Sequence, residues 1–372
     1  MGKMAGLIAC NYSIKDQGGL IQDRPLGALP FGGRYRLLDF ALSNMVNSGM
    51  RTVGIIMPYQ YRPIMDHLGA GKEWFLDRKT GGLFILSGAA YGIHSKNNKF
   101  ILKDILKNIE YLIAEQAEYV VISGINNIFQ IDYRKVLQQH QEMASQITLL
   151  YKEQPLVGEE DPQGVSLVTD TEGRVQKIIE AKGQAGQQIK YFADSLIIRR
   201  TLLMEIVQDH ENLEDIDLLD ILKSKTAAMN ISAYPISGYF GRVYSKQTYF
   251  ERSMELLQPS VQNELFLGEQ RVLTRIQDNP PTKFGTNGVV RNSLVSSRCM
   301  IKGNVSNSII FRRVHIEVGA SINNCIVMQK CWIGADSVLE NVIIDKYAQI
   351  LPGTVVKGQA GNAVVITKRR VV

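Results

Sequence analysis

The sequence predicts a two-part chain, a mostly parallel α/β sheet domain followed by a triangular parallel β-helix, and three observations carry that expectation. Short apolar runs alternate with helix-spaced apolar positions through the first two-thirds, the pattern of βαβ units with helices on both sheet faces. A stretch of linker composition, DNPPTKFGTNG, occupies 278–288. Beyond it a 17-residue repeat begins. The expected boundaries are 1–257 for the α/β domain, 258–288 for the linker and 289–372 for the β-helix, because 372 residues exceed one compact core of ordinary size.

MAGLIAC at 4–10 is short, apolar and aimed at a turn, as the opening strand of a nucleotide-binding α/β domain should be. The turn that follows, NYSIKDQGGL at 11–20, has bulky residues and no G-x-G, and its lone Gly18-Gly19 pair reads as an ordinary flexible turn. Leu37, Leu38, Ala41, Leu42, Met45 and Val46 recur at helical spacing, with Gly49 where a C-cap glycine belongs. Thr52–Met57, Tyr119–Ser123 and residues 146–151 read as buried strands, and a helical stretch at 245–257 closes the domain. In the repeat, VSNSII, INNCIV and LENVII align, so Asn307, Asn324 and Asn341 recur every 17 residues between glycine turns. Aliphatic residues about every six positions describe stacked coils around one apolar column. The asparagines are expected to form a polar ladder at the corners.

Composition narrows the function classes. A hydrophobic fraction of 45% and a charged fraction of 21% describe an ordinary globular protein. The net charge of +6 comes from scattered Lys and Arg without a basic helix or aromatic ladder, so anionic small molecules are better motivated than nucleic acid. Cys10, Cys299, Cys325 and Cys331 form no CxxC pair, and with five dispersed histidines they offer no metal cluster. Buried thiols in a reducing, cytoplasmic setting are expected, with no membrane segment.

PFGGRYRLLDFALSNMVNSG at 30–49, HLGAGKEWFLDR at 67–78 and the C-terminal repeat together resemble bacterial glucose-1-phosphate adenylyltransferases (ADP-glucose pyrophosphorylases). The resemblance covers nearly the whole chain, and the degraded first turn is similar to that of the family's non-catalytic, regulatory D-type subunits. It implies a Rossmann-like nucleotidyltransferase domain of the sugar-nucleotide pyrophosphorylase kind, followed by a left-handed parallel β-helix of hexapeptide repeats. Active members join glucose 1-phosphate to the α-phosphate of ATP, which needs in-line attack and Mg²⁺.

Against that pattern several positions depart. The family's phosphate turn resembles G-G-x-G-x-R-L, which 11–20 lacks, and a phosphate-contacting lysine is replaced by Leu26. One metal-holding aspartate of the family falls in SGINNIFQIDY at 123–133, at Asn126 or Asn127; the other falls at Arg242 in GYFGRVYS. An amide is a poor Mg²⁺ anchor, and arginine reverses the charge. FILKD at 100–104 stands for the nucleotide-contacting G-T-A-D-A. On the sugar side Gly164-Val165, Asp170, Gly173-Arg174-Val175 and IEAK at 179–182 are similar to G-V, D, G-R-V and E-K-P, with an inserted alanine and the proline gone. Glu180 and Lys182 are either a residual sugar-phosphate grip, with Gly164, or a solvated strand-end pair. Ser195 is expected to be structural.

The resemblance therefore implies no catalytic residues, no metal ligands and no cofactor in this chain, with Mg²⁺ used by a catalytic paralogue. The expected partner is that catalytic adenylyltransferase subunit, in a homo- or hetero-oligomer that tunes ADP-glucose synthesis for glycogen. Arg242 either contacts an anionic phosphorylated ligand or pairs with a carboxylate. The rival reading is an active but divergent adenylyltransferase. A third, a hexapeptide acyltransferase, would need His315, the repeat region's one histidine, as base.

Overall fold

The computed structural model describes residues 3–10, 18–58, 60–88, 100–156, 160–212, 216–286 and 288–372. They pack as two compact units that do not follow the expected sequential boundaries. The first comprises Met1–Tyr12, Phe40–Phe240 and Glu269–Leu273; the second comprises Ser13–Asp39, Gly241–Gly268 and Thr274–Val372. Among the described residues no helix is long and apolar enough to cross a membrane.

The first unit is built on a nine-stranded sheet. Its strands are β1 (Met4–Ala9), β2 (Thr52–Met57), β3 (Gly82–Ser87), β4 (Tyr119–Ser123), β5 (Ile147–Pro155), β6 (Glu160–Thr169), β7 (Val175–Lys182), β8 (Gln188–Arg199) and β9 (Ile231–Pro235). The order is β7-β6-β8-β4-β1-β2-β3, with β5 against β8 and β9 against β5. Strands β3, β2, β1 and β4 are parallel, as their uninterrupted apolar character predicts. The expectation of a mostly parallel sheet holds there, but β7 and β8 run against their neighbours. The tight turn after β6 sets the direction of β7. Asp170 accepts from the backbone N–H of Glu172 (3.0 Å) and Arg174 (2.8 Å), and Gly173 takes φ +83°, so the chain reverses without a crossover helix.

The helices of this unit are α1 (Leu37–Asn47), belonging to it from Phe40 on, α2 (Arg62–Leu68), α3 (Leu102–Lys107), α4 (Ile109–Ala114), α5 (Tyr133–Glu142), α6 (Arg200–Asp209) and α7 (Leu218–Lys225). Helix α1 ends as expected before Gly49, which takes φ +87°. One continuous core joins strand and helix residues such as Leu7, Val120, Leu196, Leu203 and Leu222. Part of the expected linker belongs here too. Leu273 N–H donates to Ser43 Oγ (2.9 Å), and Asn47 Nδ2 donates to Arg271 O (2.9 Å), so α1 side chains satisfy the backbone of Glu269–Leu273.

The second unit contains a left-handed β-helix of three parallel five-stranded sheets. Its first strand, Lys283–Phe284, pairs with Met300–Ile301, so the solenoid begins inside the expected linker. Ile301, Ile316, Ile333 and Ile350 on one face, with Ile310, Val327 and Ile344 on another, fill the central column. Asn292, Asn307, Asn324 and Asn341 all take positive φ at one corner, and Asn324 Nδ2 donates to Asn341 Oδ1 at 2.5 Å. The expected ladder is therefore present; asparagine tolerates the left-handed conformation because its side chain bonds locally. Cys299, Cys325 and Cys331 are buried in this column, and burial pushes the Cys325 and Cys331 thiols up to about 12.

The second of these faces, the one carrying Ile310, Val327 and Ile344, explains why earlier segments join this unit. Ile309, Ile326 and Ile343 alternate with the inward column yet are also fully buried. A strand apolar on both sides needs cover on its outer side. Residues 18–36 lie on the solenoid: Arg24 forms a buried ion pair with Asp345, and Ser296 Oγ donates to Gly33 O at 2.8 Å. Helices α8 (Lys246–Met254) and α9 (Pro259–Phe266) add to this unit. Tyr249 Oη of α8 donates to Pro30 O (2.6 Å), and the rings of Phe266 and Tyr35 stack at 4.9 Å. Helix α9, with Pro259 at its first turn and Val261 and Leu265 buried, stands where linker was expected.

Candidate functional site

In an open α/β sheet the ligand crevice lies at the carboxyl ends of the strands, where the chain's direction of travel across the sheet reverses. Here that point is between β1 and β4: the chain steps from β1 to β2 and β3, then returns to β4 on the other side. Residues 11–17 of the turn after β1 lie outside the described residues. Gly18 and Gly19 are described, in the second unit, and they are packed rather than an ordinary flexible turn. Both have positive φ, and a Cβ on Gly19 would sit 2.7 Å from Thr367 Cγ2. These glycines serve close approach to the solenoid.

At the end of β4 the sequence-predicted positions Asn126 and Asn127 are both buried. Asn127 Nδ2 donates to Ala193 O at 2.8 Å, while Oδ1 of each asparagine accepts no hydrogen bond among the described residues. Strand β8 shifts register between Phe192 and Leu196, and there Asp194, fully buried at φ +50°, accepts Gly124 N–H on its backbone oxygen at 2.7 Å. Sequence reasoning missed Asp194 as a neighbour of this turn, because only strand pairing brings the two segments together. Asp194 makes a further interaction of its own. The next residue, Ser195, is fully buried and meets Tyr133 Oη at 2.8 Å; burial holds the Tyr133 phenol up at about 12.

Two neutral amides at this turn carry none of the charge of the aspartates that seat Mg²⁺ in the family pattern, and these residues do not fit a centre of that kind. Arg242, described in the second unit, is 6% exposed with its guanidinium 5.3 Å from the Tyr244 ring centroid and has an additional partner.

The sugar-side candidates are brought together on one hairpin. Glu180 of β7 pairs with Val165 of β6, the neighbour of buried Gly164. Glu180 and Lys182 flank buried Ala181, so both project from the other face, where Lys182 Nζ lies 2.6 Å from Glu180 Oε2. The ladder shifts register between them, which is how the inserted alanine is accommodated. The Lys182 ammonium holds the Glu180 carboxyl below its usual range. Asp170 and Gly173-Arg174 form the hairpin turn described above.

The segment at 100–104 is locked into the core. Phe100 N–H donates to Asp217 Oδ2 (2.7 Å), Leu218 N–H to Phe100 O (2.9 Å) and Leu102 N–H to Ile216 O (2.9 Å). Phe100 and Asp104, both buried, line a small cavity with Leu7, Ala9, Ile56 and Ile122 of β1, β2 and β4. His315 is exposed on the first solenoid face, and its ring has no hydrogen-bonded partner among the described residues. An unpositioned imidazole gives the acyltransferase reading no support.

His140 of α5, unremarked in the sequence, closes a buried chain: its Nδ1 meets Thr148 Oγ1, Thr148 meets Ser232, and Ser145 donates to Ser232, each at 2.8 Å. Burial, then the Arg199 charge, press the imidazole down to about 4, with Glu118 opposing. Because the unfolded ring titrates near 6.5, the unfolded chain binds the extra proton between pH 6.5 and 4, and stability falls as pH drops through that window. A loss on the order of 2 kcal/mol is expected by pH 4, and urea titrations of His140→Gln should show a flatter slope there. An unchanged slope would count against the assignment.

The comparisons with known proteins agree with this geometry. The nucleotidyl transferase family matches residues 20–182, and the GlmU-like C-terminal hexapeptide family matches 280–362. The glycogen biosynthesis protein GlgD of Bacillus subtilis (strain 168) is 35% identical over 96% of this chain and 92% of its own length. GlgD of Geobacillus stearothermophilus is 35% identical over 86% and 83%. A glucose-1-phosphate adenylyltransferase of Fervidobacterium nodosum is 31% identical over 95% and 85%.

Proposed function

From the premise that the chain belongs to the glucose-1-phosphate adenylyltransferase family, GlgD proteins included, we propose that it is a non-catalytic partner subunit in glycogen biosynthesis. It assembles with a catalytically intact adenylyltransferase and alters that subunit's activity. The observation that carries this reading is the pair of buried amides, Asn126 and Asn127, at the turn where active members place an aspartate for Mg²⁺. Buried Arg242 at the second acidic position supports it, as does Leu26 at the lysine position. When bound, Mg²⁺ neutralises charge developing on the phosphates during in-line attack; the residues here supply neither the acids to seat it nor the lysine beside it. Such groups contribute roughly 3–4 kcal/mol each to a transition state, so several absences remove many decades of rate, short of simple additivity. An interface between unequal subunits acts by favouring one conformation of the catalytic chain.

The purified chain, given ATP, Mg²⁺ and glucose 1-phosphate alone, is expected to release no pyrophosphate above the protein-free control. Mixed with the intact enzyme it should co-purify and shift that enzyme's kcat or KM. Robust release by the chain alone, surviving removal of contaminating enzyme, would establish the divergent adenylyltransferase instead; absence of a complex together with unchanged kinetics would discard the partner reading.

A further inference from the structure

The sequence motif at 67–78 has no part in the site above, and its structure is a rigid turn that presents one aromatic ring to solvent. Trp74 is fully buried against His67, their rings meeting edge-on at 5.6 Å. The next residue, Phe75, is 64% exposed and takes φ +57°, ψ +32°, the left-handed region that a bulky L-residue seldom adopts. The turn is held on both sides. Phe75 N–H donates to Lys72 O (3.0 Å), Arg78 Nε donates to Phe75 O (2.6 Å), Leu76 N–H donates to Gly71 O (3.1 Å), and Leu83 N–H of β3 donates to Leu76 O (3.1 Å). Strained backbone and exposed apolar area thus coincide at one residue.

The ring stands beside β3, the end strand of the sheet, where Phe84 and Ile85 are also exposed. Around it lie exposed Lys72, Arg78 and Lys79, and exposed Arg51, whose carbonyl accepts Gly82 N–H at 2.7 Å. Glu73 and Asp77 are the acids of the same turn, so positive charge is in excess. None of these four cations forms an ion pair among the described residues. A two-fold contact with a second copy would set this basic rim against itself, which disfavours self-association here.

We infer that Phe75 anchors a docking surface for a chain of a different kind, one offering an apolar pocket rimmed by carboxylates, and, resting on the reading above, that this chain is the catalytic adenylyltransferase subunit. The rigid turn places the ring for insertion without an ordering cost at binding, the property of interface anchors. Glycine and asparagine tolerate the left-handed backbone, so replacing Phe75 separates docking from folding.

The test measures the Kd between the full chain and the purified catalytic paralogue by titration calorimetry at two salt concentrations, alongside thermal melts. Phe75→Gly and Phe75→Asn are expected to raise Kd about thirtyfold or more with Tm unchanged or higher. Phe75→Tyr, which keeps the ring, should stay within about threefold, and added salt should weaken the wild-type complex because the rim is basic. A wild-type complex that Phe75→Gly leaves intact overturns this inference alone. Failure of the wild-type chain to bind overturns the partner reading itself. Loss of self-association by Phe75→Gly, with the mixed complex intact, would assign the surface to a second copy and refute the inference.

Discussion

Replacing Arg24 with Met is expected to destabilise the solenoid-containing unit by about 3–5 kcal/mol, the usual penalty for removing one partner of a buried ion pair. Arg24 and Asp345 are 4% and 1% exposed, and their side chains meet through Nη2 and Oδ2. Among the described residues Asp345 Oδ1 accepts only the Lys346 backbone N–H, at 2.7 Å, so without the guanidinium a buried carboxylate keeps its charge with one neutral donor. The surroundings compound this. Burial and the Arg36 and Arg24 charges hold the Lys346 ammonium down at about 7; in the variant burial and Arg36 still oppose a charge on that lysine. Urea unfolding followed through Trp332, the tryptophan of the solenoid, reads this unit directly. Arg24→Met combined with Asp345→Leu should recover most of the loss, since two apolar groups leave no orphaned charge. A single variant within about 1 kcal/mol of wild type would mean that the carboxylate gives up its charge or reaches water.

Trp74→Ala should cost about 3–5 kcal/mol in the first unit, because the largest fully buried side chain would leave a cavity that the glycine-rich turn cannot close. Trp74→Phe should cost far less than the volume lost suggests. The indole Nε1–H is buried without an acceptor among the described residues, an arrangement worth about 1–3 kcal/mol of desolvation that phenylalanine does not incur. Far-UV circular dichroism during urea unfolding separates the two variants. Equal costs would show that an ordered water already satisfies the indole.

Much of the architecture was legible because it is periodic. The runs that became β1, β2 and β4 are apolar without interruption, as strands covered on both faces must be, and Asn307, Asn324 and Asn341 mark one corner of three successive coils. The pairs Ile309-Ile310 and Ile326-Val327 carried a further signal that went unread: apolar residues on both sides of a solenoid strand announce a covered face. Residues 258–288 misled for the opposite reason. The Pro, Gly and Asn content at 278–288 describes turns between coils as well as it describes a tether, and α9 is too short for its periodicity to stand out.

At the candidate site, residue identity came from sequence and neighbourhood did not. That amides stand at 126 and 127 and an arginine at 242 is written in the chain, and the charge argument needs nothing more. That Glu180 and Lys182 share one exposed face and pair with each other came from the ladder, since their spacing in the chain does not fix which face each takes.

What the sequence alone determined is the pair of architectures and the side-chain types at 126, 127 and 242, because periodicity and side-chain type are local properties. Only the tertiary structure decided that Asp194 reaches the Asn126–Asn127 turn, that residues 18–39 belong with the solenoid, and that Phe75 stands in water beside a buried Trp74. Those facts arise from contacts between segments far apart in the chain, and burial shared across such distances leaves no pattern in either segment by itself.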